Sequence, residues 1–239
     1  MKLIVFGLCI LLLCGCAEKN SLNGLQLLEK TIAQHDSLNL WHKTRLDIHI
    51  QEPRLANPHR YSILKLDNSK NTFELSRNRD QYISTHVLDN NANSYVLLDG
   101  KRDIDSVLKK RYRLDASRNI GYKNFYHLMY GLPMSLNKYL LTIRKTTKTK
   151  FNKEECYKIE IELKEKMISK HWNVFISEID YKIKGVEIIF LDDPNKGERL
   201  YFNGDVVIDN ITIPRFRHWH ELKDDSYSGS DIIIKEITE

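Results

Sequence analysis

Leu46-Asp47-Ile48-His49-Ile50-Gln51 is the stretch that decides the fold. Apolar and polar side chains alternate along it, which is the period of a β-strand with one face on a core and the other in water. Pro53 lacks the backbone N–H that a continuing strand would donate, so the strand is expected to end before it. The stretch therefore predicts a half-buried strand at the start of a sheet.

Four further strands are expected to follow within the next fifty residues. Short segments rich in Asp, Asn and Gly separate them, and these residue types favour tight turns. Connections this short join antiparallel neighbours, because a parallel pair needs a crossover of about a dozen residues or more. The predicted strands cover residues 61–66, 72–76, 81–88 and 94–98.

A second run of strands is predicted from about residue 144 to residue 237. Within it, Ile159, Ile161 and Leu163 alternate with charged residues, and Cys156 falls in the register of the charged face. We therefore expect Cys156 to be a structural cysteine on the solvent side. Nothing in the sequence places a histidine base beside it, so a nucleophilic role is not favoured.

Three helices are predicted around these strands. Residues 23–36 form an amphipathic pattern with Leu25, Leu28 and Ile32 on the apolar face. Residues 103–110 and 116–130 are expected to interrupt the strands as two further helices. The last of these carries a stripe of large side chains at helical spacing: Tyr122, Phe125, Tyr126, Met129 and Tyr130. Such a stripe is usually buried core that plugs or covers a sheet, and the alternative is a lid over a ligand groove.

Composition limits the classes of function. The chain has 239 residues, which suits one domain, and 37 Lys and Arg stand against 32 Asp and Glu for a net charge of +5. The excess is mild and spread along the chain rather than concentrated in a stripe. A nucleic-acid partner is therefore not expected.

The N-terminus has the pattern of a bacterial lipoprotein signal. Lys2 precedes an apolar run over residues 3–13, and Gly15 precedes Cys16. The run is shorter than the roughly 20 residues that span a bilayer, so a processed signal fits better than a retained helix. An ordinary secretory signal cleaved nearby is the alternative. We expect a signal peptide over residues 1–15, a lipidated tether over 16–22 and a folded domain over 23–239.

Lipidation at Cys16 would fix the location of the protein. Membrane attachment through this residue implies the cell envelope of a Gram-negative bacterium. As the lipoprotein sorting rule is usually stated, Asp directly after the lipidated cysteine favours the inner membrane. Ala17 stands there instead, so the outer membrane is expected.

The order of the predicted elements resembles the superfamily of LolA and LolB lipoprotein carriers. One helix, a run of antiparallel strands, a helical insertion and a second run of strands cover residues 23–237. The resemblance implies an α+β fold of one domain, in which a curved and unclosed antiparallel sheet, a half-barrel, surrounds a few helices. It also implies a hollow that holds acyl chains in several members.

Particular segments resemble an uncharacterised family of envelope lipoproteins, a domain of unknown function. These segments are Lys110-Arg111-Tyr112-Arg113-Leu114, the region from Tyr122 to Met134, and the stretch from Ile213 to Trp219 followed by Lys223-Asp224-Asp225. That family has no assigned chemistry, so the resemblance implies no catalytic role.

Motifs for catalysis or cofactor binding are not found in the sequence. It contains no Gly-x-Ser-x-Gly elbow, phosphate-binding loop, His-Glu-x-x-His helix or dinucleotide turn. His218 and His220 lie two apart on a predicted strand, so they share a face that a metal could use. No third ligand is identifiable by spacing. We therefore expect no metal, no cofactor and no catalytic residue, with a metal-dependent hydrolase as a remote alternative.

Two basic runs remain. The first is Lys109-Lys110-Arg111 with Arg113, and the second is Arg144-Lys145 with Lys148 and Lys150. Either run suits anionic lipid headgroups, although solvated faces are the commoner explanation.

The leading hypothesis is a non-enzymatic, membrane-anchored module that binds a lipid or another apolar ligand such as an acyl chain. The ligand would lie under the helix that carries Tyr122, Phe125, Tyr126, Met129 and Tyr130. The second hypothesis is a structural or accessory lipoprotein that binds another envelope protein through its outer face or a sheet edge.

Overall fold

Twelve antiparallel strands form one continuous sheet in the computed structural model, which describes residues 22–91, 93–193 and 196–236. The strand order is β5-β4-β3-β2-β1-β12-β11-β10-β9-β8-β7-β6, so each strand except at one junction pairs with its neighbour in sequence. The strands are β1 (Arg45–Gln51), β2 (Tyr61–Asp67), β3 (Thr72–Arg79), β4 (Tyr82–Leu88), β5 (Ser94–Leu98), β6 (Leu140–Phe151), β7 (Glu154–Met167), β8 (Ser169–Ser177), β9 (Ile183–Ile189), β10 (Gly197–Ile208), β11 (Ile211–Glu221) and β12 (Tyr227–Glu236).

Within the described ranges, four α-helices accompany the sheet. They are α1 (Gly24–His35), α2 (Ser106–Tyr112), α3 (Asn119–Tyr130) and α4 (Leu136–Tyr139). Two 3-10 turns precede β1 and α3, at Trp41–Lys43 and Ala116–Arg118. In the part of the chain that is described, no helix has the length and apolar character needed to cross a membrane. The signal peptide expected over residues 1–15 lies outside the described residues, as does Cys16, where lipidation is expected.

The junction between β1 and β12 makes the two runs of strands one domain. Both runs are meanders, and the pairing of Ile50 with Ile233 joins the first strand to the last. β5 and β6 remain at the two ends of the strand order, so the sheet is unclosed. The predicted α+β class, with a curved antiparallel half-barrel around a few helices, is confirmed.

The apolar alternation read from the sequence places the core. Leu46, Ile48 and Ile50 are at most 1% exposed and face the same side as the apolar rows of β2 and β3. The buried cluster on this concave side includes α3 and runs through both halves of the sheet. Helices α1, α3 and α4 therefore pack into the hollow that the strands surround, whereas α2 packs in a separate small cluster beside β5.

Helix α1 starts where the sequence indicates, and of its predicted apolar face Leu28 is buried, Ile32 is partly buried and only Leu25 is exposed. Asn23 caps it, accepting a hydrogen bond from the backbone N–H of Gln26, while the Gln26 side chain accepts one from the backbone N–H of Asn23. Leu25, which was expected in the core, is 56% exposed, and Leu27 is fully buried instead. The buried face of the helix consists of Gly24, Leu27, Leu28, Thr31 and His35.

The His35 ring links two strands that lie far away in the sequence. Its Nδ1 donates to the carbonyl of Thr212 at 2.8 Å, and its Nε2 accepts from the backbone N–H of Ile183 at 3.1 Å. Burial lowers the pKa of His35, which keeps the ring in the neutral form that can both donate and accept.

Cys156 is not on the solvent side, and the expectation from its register is wrong. Its side chain is fully buried in a small cluster with Phe151 and Phe175, whose rings stack at 3.8 Å. The strands place this cluster on the face away from the main core, where Phe151 lies over the backbone of Gly185 and leaves no room for a Cβ there. Burial raises the pKa of the Cys156 thiol to about 11, so it is a packing residue rather than a nucleophile.

Candidate functional site

A cavity of about 350 Å³ lies between α3 and the concave face of the sheet. One wall is apolar and the other carries charged groups, so both kinds of contact meet in one space. The described lining residues are Glu52, Arg54, Arg60, Phe125, Tyr126, Met129, Tyr130, Ile168, Glu198, Trp219, Glu221, Ser228 and Asp231.

Helix α3 supplies most of the apolar wall. Positions three and four apart lie on one face of a helix, so Phe125, Tyr126, Met129 and Tyr130 are brought together by the local geometry. Tyr126, Met129 and Tyr130 are at most 4% exposed, whereas Phe125 is half-buried. The rings of Tyr126 and Tyr130 stack with centroids 5.8 Å apart.

Tyr122, the fifth residue of the stripe, does not line this cavity. It lies one turn earlier in α3, where its ring contacts His86 edge to face at 4.9 Å. His86 belongs to β4 and bonds Asn119 at the start of α3. Tyr122 therefore fastens the helix to the sheet, while the other four residues face the cavity.

The charged wall begins with Glu52, which lies directly after β1 and is 2% exposed. Its carboxylate accepts from Arg77 at 3.0 Å and from Arg60 at 3.2 Å, and the hydroxyl of Ser62 also donates to it. Burial alone would raise the pKa of Glu52, but the two guanidinium groups outweigh it and hold the pKa below its ordinary value. Glu52 is therefore a buried carboxylate that stays ionised.

Tyr126 connects the apolar wall to this ion pair. Its hydroxyl accepts a hydrogen bond from Arg77 and lies 3.4 Å from Glu52. Burial raises the pKa of Tyr126 to about 12, so the phenol keeps its proton and remains a donor at neutral pH. The helix is thus attached to β3 at the point where the cavity begins.

A second ion pair lies on the β12 side of the cavity. Arg54 donates to Asp231 at 2.7 Å, and the indole N–H of Trp219 donates to the other carboxylate oxygen at 2.9 Å. Burial and the nearby Glu52 raise the pKa of Asp231, since two carboxylates in one desolvated region oppose each other's ionisation. This wall is polar, but its charges are largely compensated.

Arg217 is a fully buried cation in the core next to these groups. Its guanidinium lies 4.2 Å from the ring centroid of Tyr130, and Nη1 donates to the carbonyl of Pro214 at 2.9 Å. Among the described residues, Nε and Nη2 have no hydrogen-bond partner, and neither does the hydroxyl of Tyr130. Burial lowers the pKa of Arg217, and the aromatic ring stabilises its charge.

The charged wall was not predicted from the sequence. One signal was available, since Arg77 follows Phe73 and Leu75 at strand period and Arg217 precedes Trp219 at the same period. A charged residue in the register of a buried face indicates either the end of a strand or a paired internal charge. Here it is an internal charge in both cases.

His218 and His220 do share a face, as their spacing predicts, but each ring bonds a nearby polar group. Nδ1 of His218 lies 2.8 Å from the hydroxyl of Ser230, and Nδ1 of His220 lies 2.7 Å from the carbonyl of Asp225. Both lie on the outer face, away from the cavity. Within the described ranges, no three His, Cys, Asp or Glu side chains are placed to hold a metal ion.

The fold is similar to that of two solved structures. One is a protein domain from Vibrio parahaemolyticus named for outer membrane lipoprotein sorting, with 13% identity, a TM-score of 0.51, and coverage of 90% of this chain and 91% of that one. The other is a LolA superfamily protein from Nitrosomonas europaea, with 9% identity, a TM-score of 0.51, and coverage of 92% and 95%. The expected likeness to LolA is confirmed at the level of the fold.

A comparison with curated proteins gives no significant match. A comparison with family models matches residues 1–236, which is nearly the whole chain. The predicted resemblance to a domain of unknown function is confirmed as well. The chain belongs to the family of unknown function DUF6503.

Proposed function

We propose that this protein is a non-enzymatic module that binds an apolar ligand, such as a lipid or an acyl chain, between α3 and the sheet. The observation that supports the proposal is the cavity lined by Phe125, Tyr126, Met129 and Tyr130. Its volume of about 350 Å³ lies within the range of roughly 300 to 1,000 Å³ typical of small-molecule sites.

The apolar wall suits a chain of methylene groups. Aromatic and Met side chains offer large contact surfaces, and burying apolar area contributes about 25 cal/mol per Å². Phe125 and Ile168 are partly exposed at the cavity, so they lie where a chain would enter. Ile168 is 38% exposed, and a bound chain would cover that surface.

The charged wall indicates which polar end fits. Glu52 and Asp231 are paired with arginines, but among the described residues Glu198 and Glu221 line the cavity without an ion-pair partner. Burial, together with the nearby Glu221, raises the pKa of Glu198, so a further negative charge is disfavoured there. An acyl chain with an uncharged, hydrogen-bonding end therefore fits better than a fatty acid carboxylate.

The test is a titration with 1-monopalmitoylglycerol and with palmitate, followed by native mass spectrometry. We expect the uncharged lipid to bind more tightly than palmitate. Phe125→Asp places a charge on the apolar wall and should weaken binding roughly 10- to 100-fold, equivalent to the loss of one large apolar contact.

Ile179→Asp provides the matched control, because Ile179 is 91% exposed and does not line the cavity. The Ile179→Asp variant should bind 1-monopalmitoylglycerol with the same affinity as the wild type. If wild-type protein binds neither lipid, or if both variants bind alike, the cavity is not the ligand site. An accessory role with an envelope protein as partner would then be the better explanation.

We further infer that the protein is attached to the envelope of a Gram-negative bacterium, in the outer membrane, by lipid on Cys16. The support is the sequence pattern of Lys2, the apolar run and Gly15-Cys16. In an envelope fractionation, Cys16→Ser should either appear in the soluble fraction or accumulate as a precursor that keeps its signal peptide. Unchanged fractionation, with no added acyl mass on the N-terminal peptide of the wild type, would contradict the anchor.

A further inference from the structure

A second and larger cavity, an open groove of about 740 Å³, lies between α2 and the edge strand β5. One face of α2 forms one side of it, and Ser94, Tyr95 and Val96 of β5 form the other. The segment that leads from α2 to α3 forms the base. This groove is separate from the cavity under α3 and shares no lining residue with it.

The groove is strongly basic. Five of the described lining residues are cations, and Asp115 is the single carboxylate among them. The Asp115 carboxylate accepts from the backbone N–H of Ser117, so its hydrogen bond caps the following 3-10 turn. The cations are Arg102, Lys109, Lys110, Arg113 and Arg118, and all five are exposed.

None of these five cations forms an ion pair with a carboxylate of the described residues. Longer-range charge interactions join Arg118 to Asp115 and Arg102 to Asp89. The neighbouring Arg111 differs, since it donates to Asp80 at 2.7 Å and does not line the groove. The structure thus divides the first basic run of the sequence into one paired residue and several unpaired ones.

Half of the second basic run, on edge strand β6, is compensated by ion pairs. Lys148 pairs with Glu178 at 2.9 Å and Lys150 with Glu155 at 3.3 Å. Two runs that look alike in sequence therefore present different charge. A local concentration of uncompensated positive charge attracts anions, and an edge rich in ion pairs does not.

Part of the groove is held in place. The Arg102 guanidinium lies 4.0 Å from the ring centroid of Tyr95, a contact that keeps it beside β5. Arg113 ends α2 in the left-handed conformation with φ of 57°, and its backbone N–H bonds the carbonyl oxygens of Lys109 and Lys110. The five cations come from four places in the chain, namely the loop after β5, helix α2, its C-cap and the 3-10 turn before α3, and all are exposed. Exposed cations spread over several segments suit a surface of anions.

We propose that this groove binds the anionic phosphate headgroups of a lipid bilayer. Each cation held near an anionic membrane surface changes the partition coefficient about fivefold. Several such contacts would orient the β5 edge toward the membrane. The proposal stands on the charge of the groove and does not require a ligand in the cavity under α3.

The test is sedimentation with vesicles of phosphatidylcholine alone or with 30% phosphatidylglycerol, using the chain from Ala17, which retains every described residue. The wild type should bind the anionic vesicles and release them in 0.5 M NaCl, because salt screens exposed charges. Lys109→Gln/Lys110→Gln/Arg113→Gln should lower the partition coefficient about 100-fold.

Arg144→Gln/Lys145→Gln/Lys150→Gln removes the same formal charge from the opposite edge and is the matched control. It should change the partition coefficient less than fivefold. Equal loss in both triple variants would show a response to net charge and overturn the assignment of the groove. Equal binding to neutral and anionic vesicles, or tight binding of free glycerol phosphate without any preference for anionic vesicles, would also overturn it.

Discussion

Replacing Glu52 with Gln is expected to lower the free energy of unfolding by about 3 to 5 kcal/mol. Glu52 and Arg77 are 2% and 6% exposed, and their side chains pair at 3.0 Å. Removing one charge leaves the Arg77 guanidinium buried with an uncharged partner. Attraction in a desolvated site is strong, so the loss exceeds the value of an ordinary hydrogen bond.

Urea unfolding at pH 7 measures this effect. The matched control is Glu74→Gln, which breaks a pair of similar length with Lys65 at 3.0 Å, but with both side chains more than one third exposed. That variant should lose no more than about 1 kcal/mol. A loss below about 1 kcal/mol in Glu52→Gln would mean that Arg77 is compensated by other groups.

The buried pair of Glu52 and Arg77 also makes the free energy of unfolding depend on pH, in a direction that can be stated. Because the folded pKa of Glu52 is lowered, its contribution is fully present above the unfolded value of about 4.3 and is lost as the pH falls through the folded pKa. In Glu52→Gln, the loss of stability at low pH that comes from protonating Glu52 should disappear.

Stability should also fall as the pH is lowered from 7.5 to 5, and His127 should account for a large part of the fall. Burial, and then the like charges of Lys138 and Lys123, lower the pKa of His127 to about 3. The unfolded chain binds a proton near pH 6.5, whereas the folded chain does not. Protonation therefore favours unfolding throughout the window between these two values.

The expected size follows from the shift. At pH 5, about 1.5 pH units below the unfolded pKa of about 6.5, protonation of His127 stabilises the unfolded state by about 2 kcal/mol, since each pH unit corresponds to about 1.36 kcal/mol. The ring is 8% exposed and lies between Trp41 and Tyr139, at 5.2 and 5.4 Å. His127→Phe keeps an aromatic ring there and should reduce the loss between pH 7.5 and pH 5 by about 2 kcal/mol.

His59→Phe is the control, because His59 is exposed in the loop before β2. Urea unfolding at four pH values should give this variant the same pH dependence as the wild type. Most carboxylates remain ionised between pH 5 and pH 7.5. Comparing the two variants also cancels what the carboxylates contribute to the pH dependence of the free energy of unfolding, because both variants share it. An unchanged slope in His127→Phe would show that the imidazole is protonated or solvated in the folded protein.

The strands could be predicted from the sequence because their signals are local. Alternation at Leu46, Ile48 and Ile50 has the period of the strand itself, and the short polar segments have the conformational preferences of turns. Asp209 and Asn210 adopt φ of 49° and 65° in the two-residue turn between β10 and β11, as such residues do. Neither property depends on distant residues.

The site could be predicted only in part. Helical spacing alone aligns Phe125, Tyr126, Met129 and Tyr130, and α3 does place them on one cavity. Tyr122 shares that spacing, but its contact with His86 is set by where β4 lies. The charged wall joins Glu52 to Arg77 and Arg54 to Asp231, and the second pair spans 177 residues. No local pattern contains that information.

The sequence by itself determined the antiparallel meanders, the single domain and the helical stripe, since each follows from periodicity or turn chemistry within a few residues. Only the tertiary structure decided which charges are buried and which basic run stays unpaired. Cys156 shows the reason most clearly. Its position in the strand places it on the same face as charged residues, but it is buried because Phe151 covers it. Burial depends on what packs above a residue, and in a curved sheet that partner comes from another strand.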